Sequence, residues 1–470
     1  MARTPRKGSG SRTPRDQDTG EQPSPALEET QGISPPGTTG RFLVLLKEDT
    51  TAAVTSAASM FTRVAGLNVT STADFEEGAP TEALGGAGAL IFPELGVAVI
   101  DAPPDQMRAI GVAAADSGVL AIEPERIVYA IGDGPPHPGL SGLPTPGSAT
   151  LPLDYLKGYR DAVNHLYDAL TGAAPGEFGA EAIPSFVEGE ITWGLQATKV
   201  PASRFTGRGI RIAVLDTGLD MRHPDFAERR ITTQSFIQDQ QVQDRHGHGT
   251  HCIGTACGPR RPGQLPRYGI AYEAEIFAGK VLSNQGSGAD AGILAGIQWG
   301  ITNGCAILSM SLGAMVAPGQ SYSRVFEYAA RRALSRGTLI IAAAGNESQR
   351  PGFIAPVGHP ANCPSIMAVG AINRRFQVAP FSCGGLNPEG GQVDIAGPGV
   401  DIRSSWPRPV LYNSISGTSM ATPHVAGIAA LWAECDPQFR GRALMSILTQ
   451  SARRLPLLAR DVGAGLVQAP

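Results

Sequence analysis

From about residue 191 onward the chain alternates short apolar runs with helix-like patterns, and no other feature narrows its fold so far. The apolar runs are GIRIAVLD, EIFAGKVL, CAILSMSLG, TLIIAAAGN, SIMAVGAI and VDIAG. Between or after them lie HGTHCIGTAC, ADAGILAGIQWGITN, SRVFEYAARRALSRG, SMATPHVAGIAALWAEC and FRGRALMSILTQSARRL, which read as helices. Strands this apolar, joined by helices, imply an α/β fold with a doubly wound, mostly parallel sheet covered on both faces. In such sheets functional groups gather at the C-terminal ends of the strands.

The N-terminal part has a different organisation. Residues 1–40 are rich in Pro, Gly, Ser and Thr, and their composition predicts disorder. Residues 41–131 run strand, helix, two strands around Pro93–Gly96, helix, strand. That order predicts a ferredoxin-like α+β sandwich, or another small α/β unit of the same pattern. Residues 132–190 form a Pro/Gly-rich connector carrying one amphipathic helix pattern, LPLDYLKGYRDAVNHLYDALTG. Residues 191–470 are the expected α/β domain.

Composition excludes several classes. A net charge of −4 gives no global electrostatic case for nucleic acid or an anionic membrane, so neither is expected as a partner. No apolar run of about 18 residues predicts a membrane span. The basic start MARTPRKGSGSRTPRD lacks the apolar segment of a secretory signal, so a cytoplasmic protein or non-classical export is expected. All six cysteines lie between Cys252 and Cys435; disulfides and free thiols both remain open.

Three stretches carry candidate chemistry. In IAVLDTG, Asp216 ends an apolar strand, where a carboxylate can hold an imidazole or simply close a turn. In DRHGHGTHCIGT, His246, His248 and His251 fall within six residues. That spacing admits a zinc site, or one general base among glycines that allow close backbone approach. In GTSMATPH, Ser419 stands at a predicted helix N-terminus, where unpaired N–H groups favour a developing negative charge. The alternative there is a plain N-cap. A fourth stretch, AAAGNES, ends a strand in Asn346, an amide donor at the same sheet edge or a turn residue.

D-T-G, H-G-T-H, A-A-G-N and G-T-S-M-A-T-P-H, in this order, resemble the subtilisin-type serine proteases, the subtilases. The cysteine in GHGTHCIGT leans toward their proteinase K branch. The resemblance covers about residues 191–455, and residues 41–131 resemble the family's inhibitory propeptide by pattern and position. It implies a subtilisin-like fold and a serine endopeptidase made as a zymogen, secreted by analogy with the family. Its partners would be polypeptide substrates and its own propeptide as intramolecular inhibitor.

Carried over by position, the resemblance makes Ser419 the nucleophile, His248 the base, Asp216 its orienting carboxylate and Asn346 the oxyanion donor. Gly286, Ser287 and Gly288 would form one wall of the cleft, and Ser311, Leu312 and Gly313 the other, binding an extended peptide between them. Ala344 and Gly358 would line the pocket for the residue before the cut bond, giving a broad preference for large apolar side chains, with Glu347 at its rim. His246, His251 and His424 then become structural, and Cys252 a buried thiol under the site. No cofactor is implied for the chemistry. Structural calcium is expected, if anywhere, at Asp394 with the carbonyls of Pro364 and Ile366. Asp225 loses the partners of the family's other calcium site, because CGPRRPGQLPRYGIA replaces the Asn-rich loop.

Overall fold

A computed structural model describes residues 37–47, 51–74, 88–114, 118–131 and 185–470. The predicted connector helix and the first 36 residues lie outside these. Among the described residues no helix is long and apolar enough to cross a membrane.

The N-terminal unit comprises β1 (Thr38–Leu46), β2 (Val69–Ser71), β3 (Ala89–Phe92), β4 (Val97–Ile100) and β5 (Val119–Ala130), with helices Thr51–Ala65 and Pro104–Ala114. Sheet order is β5-β1-β4-β3-β2. The β5-β1-β4-β3 pairs are antiparallel, which is the ferredoxin-like arrangement of the predicted βαββαβ order. The short β2 adds a parallel edge to β3. β1 starts at Thr38, so Thr38–Gly40 belong to this unit and not to the segment assigned to disorder.

The main domain holds β6 (Arg211–Asp216), β7 (Ile231–Ser235), β8 (Glu275–Lys280), β9 (Ser287–Ala289), β10 (Ile307–Met310), β11 (Leu312–Gly313), β12 (Leu339–Ala343), β13 (Met367–Ile372) and β14 (Ile395–Pro398). A small hairpin, β15 (Ile402–Ser405) and β16 (Tyr412–Ile415), follows. Seven strands form one sheet in the order β14-β13-β12-β10-β6-β8-β7, and every pairing in it is parallel. Side chains alternate between two cores, as a pleat with period two requires. Ile212 and Val214 of β6 join the core that includes helices His248–Cys257 and Thr418–Cys435. Ala213 and Leu215 join the core that includes helices Asp290–Thr302 and Arg324–Ser335. The sheet is therefore doubly wound, as the alternation predicts.

Strand order reverses at β6: β8 and β7 lie on one side, and β10, β12, β13 and β14 on the other. Crevices of open α/β sheets form where the order reverses, outside the strands' C-terminal ends. Asp216 is the last residue of β6, and Ser311 follows β10 at once.

The N-terminal unit rests on this domain. Leu43, Leu45, Val97 and Val99 join the core of helices Asp290–Thr302 and Arg324–Ser335, while the other face of their sheet packs on its own helices. Both docking helices also receive carboxylates from β5. Glu125 Oε1 accepts from Ala291 N at 2.9 Å, and Glu123 Oε1 from Arg324 N at 2.7 Å. Unpaired N–H groups at helix starts favour such negative partners. Glu125 is fully buried, and Arg41 Nε at 2.6 Å balances its charge.

Candidate active site

The Asp-Thr-Gly turn at the end of β6 meets the start of helix His248–Cys257 at very short range. A Cβ on Gly218, whose φ is +103°, would lie 2.0 Å from the Val242 carbonyl oxygen. One on Gly249 would lie 2.3 Å from the Gly218 oxygen. Only glycine permits this approach. It lets the His248 imidazole reach Asp216, with Nδ1 2.8 Å from Oδ1 and both side chains buried.

Asp216 Oδ1 also accepts from Thr217 N at 2.7 Å, while Oδ2 and His248 Nε2 make no hydrogen bond. Burial opposes the charged imidazole, but attraction to Asp216 prevails and holds the His248 pKa well above 6.5.

Asp244, not singled out by the sequence reading, organises this approach. Its carboxylate accepts from His246 N, Gly247 N, Thr250 N, Thr250 Oγ1 and Thr217 Oγ1 at 2.7–3.0 Å. The available signal was an aspartate just before a His-Gly helix start, a position that suits capping.

Ser419 lies in the first turn of helix Thr418–Cys435 and is fully buried. Pro423 lacks the N–H that would bond the Ser419 carbonyl four residues back. That carbonyl instead accepts from Ser311 Oγ at 2.9 Å and Cys252 Sγ at 3.6 Å. A proline near the helix start thus ties the serine to the end of β10 and to the histidine helix. Ser419 Oγ donates to the Ser311 carbonyl at 3.0 Å, not to His248. His424 Nδ1 is held by Met420 O at 2.8 Å, and burial pushes its pKa down to about 4, in keeping with a packing role.

Asn346, after β12, accepts from Thr418 N and Thr418 Oγ1 at 2.9 Å each. Its Nδ2 is left facing the space beside Gly417: a Cβ there would be 2.9 Å from Nδ2 and 3.1 Å from the Ile131 carbonyl oxygen.

The two predicted cleft walls flank one strand. β5 pairs antiparallel with β9 through Val128↔Gly288 and Tyr129↔Ser287, and with β11 through Ala130↔Leu312 and Tyr129↔Gly313. Ala130 N donates to Gly286 O at 2.8 Å and Ile131 N to Ser311 O at 3.3 Å. The Ile131 side chain reaches the wall at Gly313, its Cδ1 3.0 Å from the place of a Gly313 Cβ. Gly358 N bonds Ala344 O at 2.9 Å, bringing those two predicted pocket residues together. Glu347 is half-buried, and its Oε2 accepts from the Cys383 thiol at 3.1 Å.

The three clustered histidines separate. His251 Nε2 bonds Ile402 O at 2.8 Å, and burial lowers its pKa to about 3; the His246 ring stands edge-on to His248 at 6.2 Å. The group of potential metal ligands among the described residues is Asp216, His248 and Cys252, so the His246–His248–His251 zinc site is not assembled.

Pro364 and Asp394 line one cavity of about 130 Å³, whose lining does not include Ile366. Burial drives the Asp394 pKa up to about 6, which a cation would reverse, so this carboxylate suits a calcium ion. Asp225 is instead satisfied by protein donors: Tyr268 Oη at 2.6 Å, Tyr412 Oη at 3.1 Å and Gly263 N at 2.8 Å. All six cysteines are free, and only Cys435 is exposed.

The subtilase family model matches residues 207–465. Subtilisin E of Bacillus subtilis (strain 168) is 36% identical over 268 residues, spanning 56% of this chain and 67% of that protein. Subtilisin Savinase of Lederbergia lenta is 36% identical over 283 residues, 59% of this chain and 97% of that protein. The solved structure of Sphericase superposes with a TM-score of 0.52 at 32% identity, over 60% of this chain and 99% of that one.

The His248–Asp216 geometry makes a direct prediction. Imidazole NMR should show His248 titrating well above pH 6.5, and Asp216→Asn should lower that pKa, since burial then loses its main opponent. The pair's stabilisation is present below pH 6.5 and lost as pH rises through the raised folded pKa. A native His248 titrating below 6.5 would contradict this assignment.

Proposed function

The chain belongs to the subtilase family and is a serine endopeptidase acting on polypeptides; from that premise we propose that Ser419, His248, Asp216 and Asn346 carry the reaction and that residues up to Ile131 are its own inhibitory segment. In this reading His248 Nε2 takes the proton of Ser419 as the hydroxyl attacks the substrate carbonyl. Asp216 holds the tautomer that leaves Nε2 free and stabilises the resulting imidazolium. Asn346 Nδ2 and the Ser419 N–H receive the oxyanion. His248 then returns the proton to the leaving amine, and water releases the acyl group by the same route. The Ser419 hydroxyl rotates from Ser311 to His248 to begin the cycle, which its neighbour's unpaired Nε2 permits.

The observation that carries the proposal is the seating of β5. An extended segment running antiparallel to both walls, its last N–H on Ser311 and its last carbonyl beside Asn346 Nδ2, has the disposition of a cleaved product. Ile131 then stands for the residue before the cut bond, so activation breaks Ile131–Gly132, at the very start of the connector. A pocket bounded by Ala344, Gly358 and Gly313 favours large apolar side chains at that position. The propeptide carboxylates Glu123 and Glu125, seated on two helix starts, would also align the domain's helices as it folds.

A serine-reactive fluorophosphonate should label the active protein once, and Ser419→Ala should abolish the label and lower activity by about 10⁶-fold, the scale known for subtilisin. Asn346→Ala should retain the label but lose about 10²–10³ in kcat, again the subtilisin scale. Activity that survives Ser419→Ala and disappears only with a chelator would overturn the proposal in favour of a metal hydrolase.

Calcium at Asp394 is the second element of the proposal; Asp394 would hold it with the Pro364 carbonyl oxygen in the cavity that both residues line, without Ile366, and the ion would fix the loop structurally. Without it, the raised Asp394 pKa gives stability that is present below about pH 4 and lost as pH rises through about 6. Added calcium should therefore raise Tm more at pH 7 than at pH 5, and Asp394→Asn should remove the difference. An equal calcium effect in Asp394→Asn would rule this site out.

A further inference from the structure

Asp290 follows β9 directly and is the first residue of helix Asp290–Thr302. It is fully buried, and its two oxygens serve different partners. Oδ1 is 2.9 Å from His359 Nε2, and Oδ2 accepts from the backbone N–H of Arg126 at 3.0 Å. The Arg126 guanidinium reaches toward the same oxygen, with Nη1 at 3.9 Å from Oδ2 and making no hydrogen bond of its own. Its other acidic neighbour, Glu123 at 3.6 Å, belongs to the N-terminal unit.

His359 is equally fixed. It exchanges two backbone hydrogen bonds of 2.9 Å with Ala314, the residue after β11. Its ring stands edge-on to Phe326, with centroids 4.6 Å apart. The His359–Asp290 contact therefore joins the two walls of the cleft beneath the strand they flank. Neither the motifs nor the reaction uses this pair.

We propose that Asp290, held in place by His359, is a specificity-determining residue that selects a basic side chain five positions before the residue preceding the cut bond. This inference rests on reading Ile131 as that residue, because it places Arg126 five positions earlier. The chemistry is additive: one carboxylate oxygen fixes the main chain through its N–H, whatever the residue, and the same oxygen attracts a cation carried by that residue. His359 occupies the other oxygen, which keeps the carboxylate turned toward the bound peptide. His359 is thus a positioning residue, acting through Asp290. In a substrate no Glu123 accompanies the cation, so Asp290 is the acidic partner that remains.

The experiment uses N-acetylated hexapeptide p-nitroanilides, X-Ile-Val-Tyr-Ala-Ile, with X as Arg, Gln or Glu, on protein matured from the full chain. Acetylation keeps the N–H and removes the terminal charge. The expected order of kcat/KM is Arg, Gln, Glu, with about three- to tenfold per step. The spread should narrow at high ionic strength. Asp290→Asn should bring the three rates together. His359→Gln, which retains a donor, should keep the order, and His359→Leu should lose it.

Equal rates for the three peptides on the wild-type protein would overturn the inference, even if the Asp290 variants fail to fold. Failure to cleave any of them, by protein that fluorophosphonate labels, would instead overturn the cleft register and the inference with it.

Discussion

The buried contact between Asp216 and His248 is the constraint around which the rest is arranged. A carboxylate and an imidazole, both out of water, are tolerable only when paired, and pairing them needs two backbones closer than any side chain allows. Glycines at 218 and 249 meet that demand, and Asp244 gathers five donors to hold the junction. The sheet supplies the third party. Reversal of strand order at β6 opens the crevice at Asp216, and β10 beside it is followed at once by Ser311, whose carbonyl holds Ser419. Pro423 completes the arrangement by removing a helix bond and so directing the Ser419 carbonyl to Ser311 and Cys252. The opening turns of that helix are thus shaped by tertiary contacts more than by helix propensity.

Much of the fold was legible because it rests on period and apolarity. Each of the apolar runs became a strand of the main sheet, and the βαββαβ order of the first unit became its antiparallel sheet. What escaped were short or polar edges. β7, ITTQS, is only partly buried and pairs on one side, so it carries little apolar signal. β9 and β11 are three and two residues long and exist as strands because β5 pairs with them.

The site divides in the same way. Asp216, His248, Asn346 and Ser419 stand in compact motifs whose glycines are visible in the sequence. Asp290 and His359 are 69 residues apart, with no motif around either, and only folding brings them together. Cys383, 36 positions away, donates to a carboxylate oxygen of Glu347, a contact that the local pattern around Glu347 does not signal. Local sequence also carries no information on where the serine hydroxyl points at rest. Likewise, Tyr268 and Gly263, within the stretch that replaces the Asn-rich loop, satisfy Asp225 together with Tyr412, 187 positions away, a set that no local pattern signals.

The central claim is that one serine first cuts the chain in which it lies, after the strand that fills its own cleft. The most direct measurement is N-terminal sequencing, with intact mass, of the matured wild-type protein and of Ser419→Ala prepared alongside it. The account predicts a wild-type protein beginning at Gly132 and a variant that remains one 48.9 kDa polypeptide. A fully active wild-type chain left uncut, or a Ser419→Ala chain cut at the same bond, would contradict it.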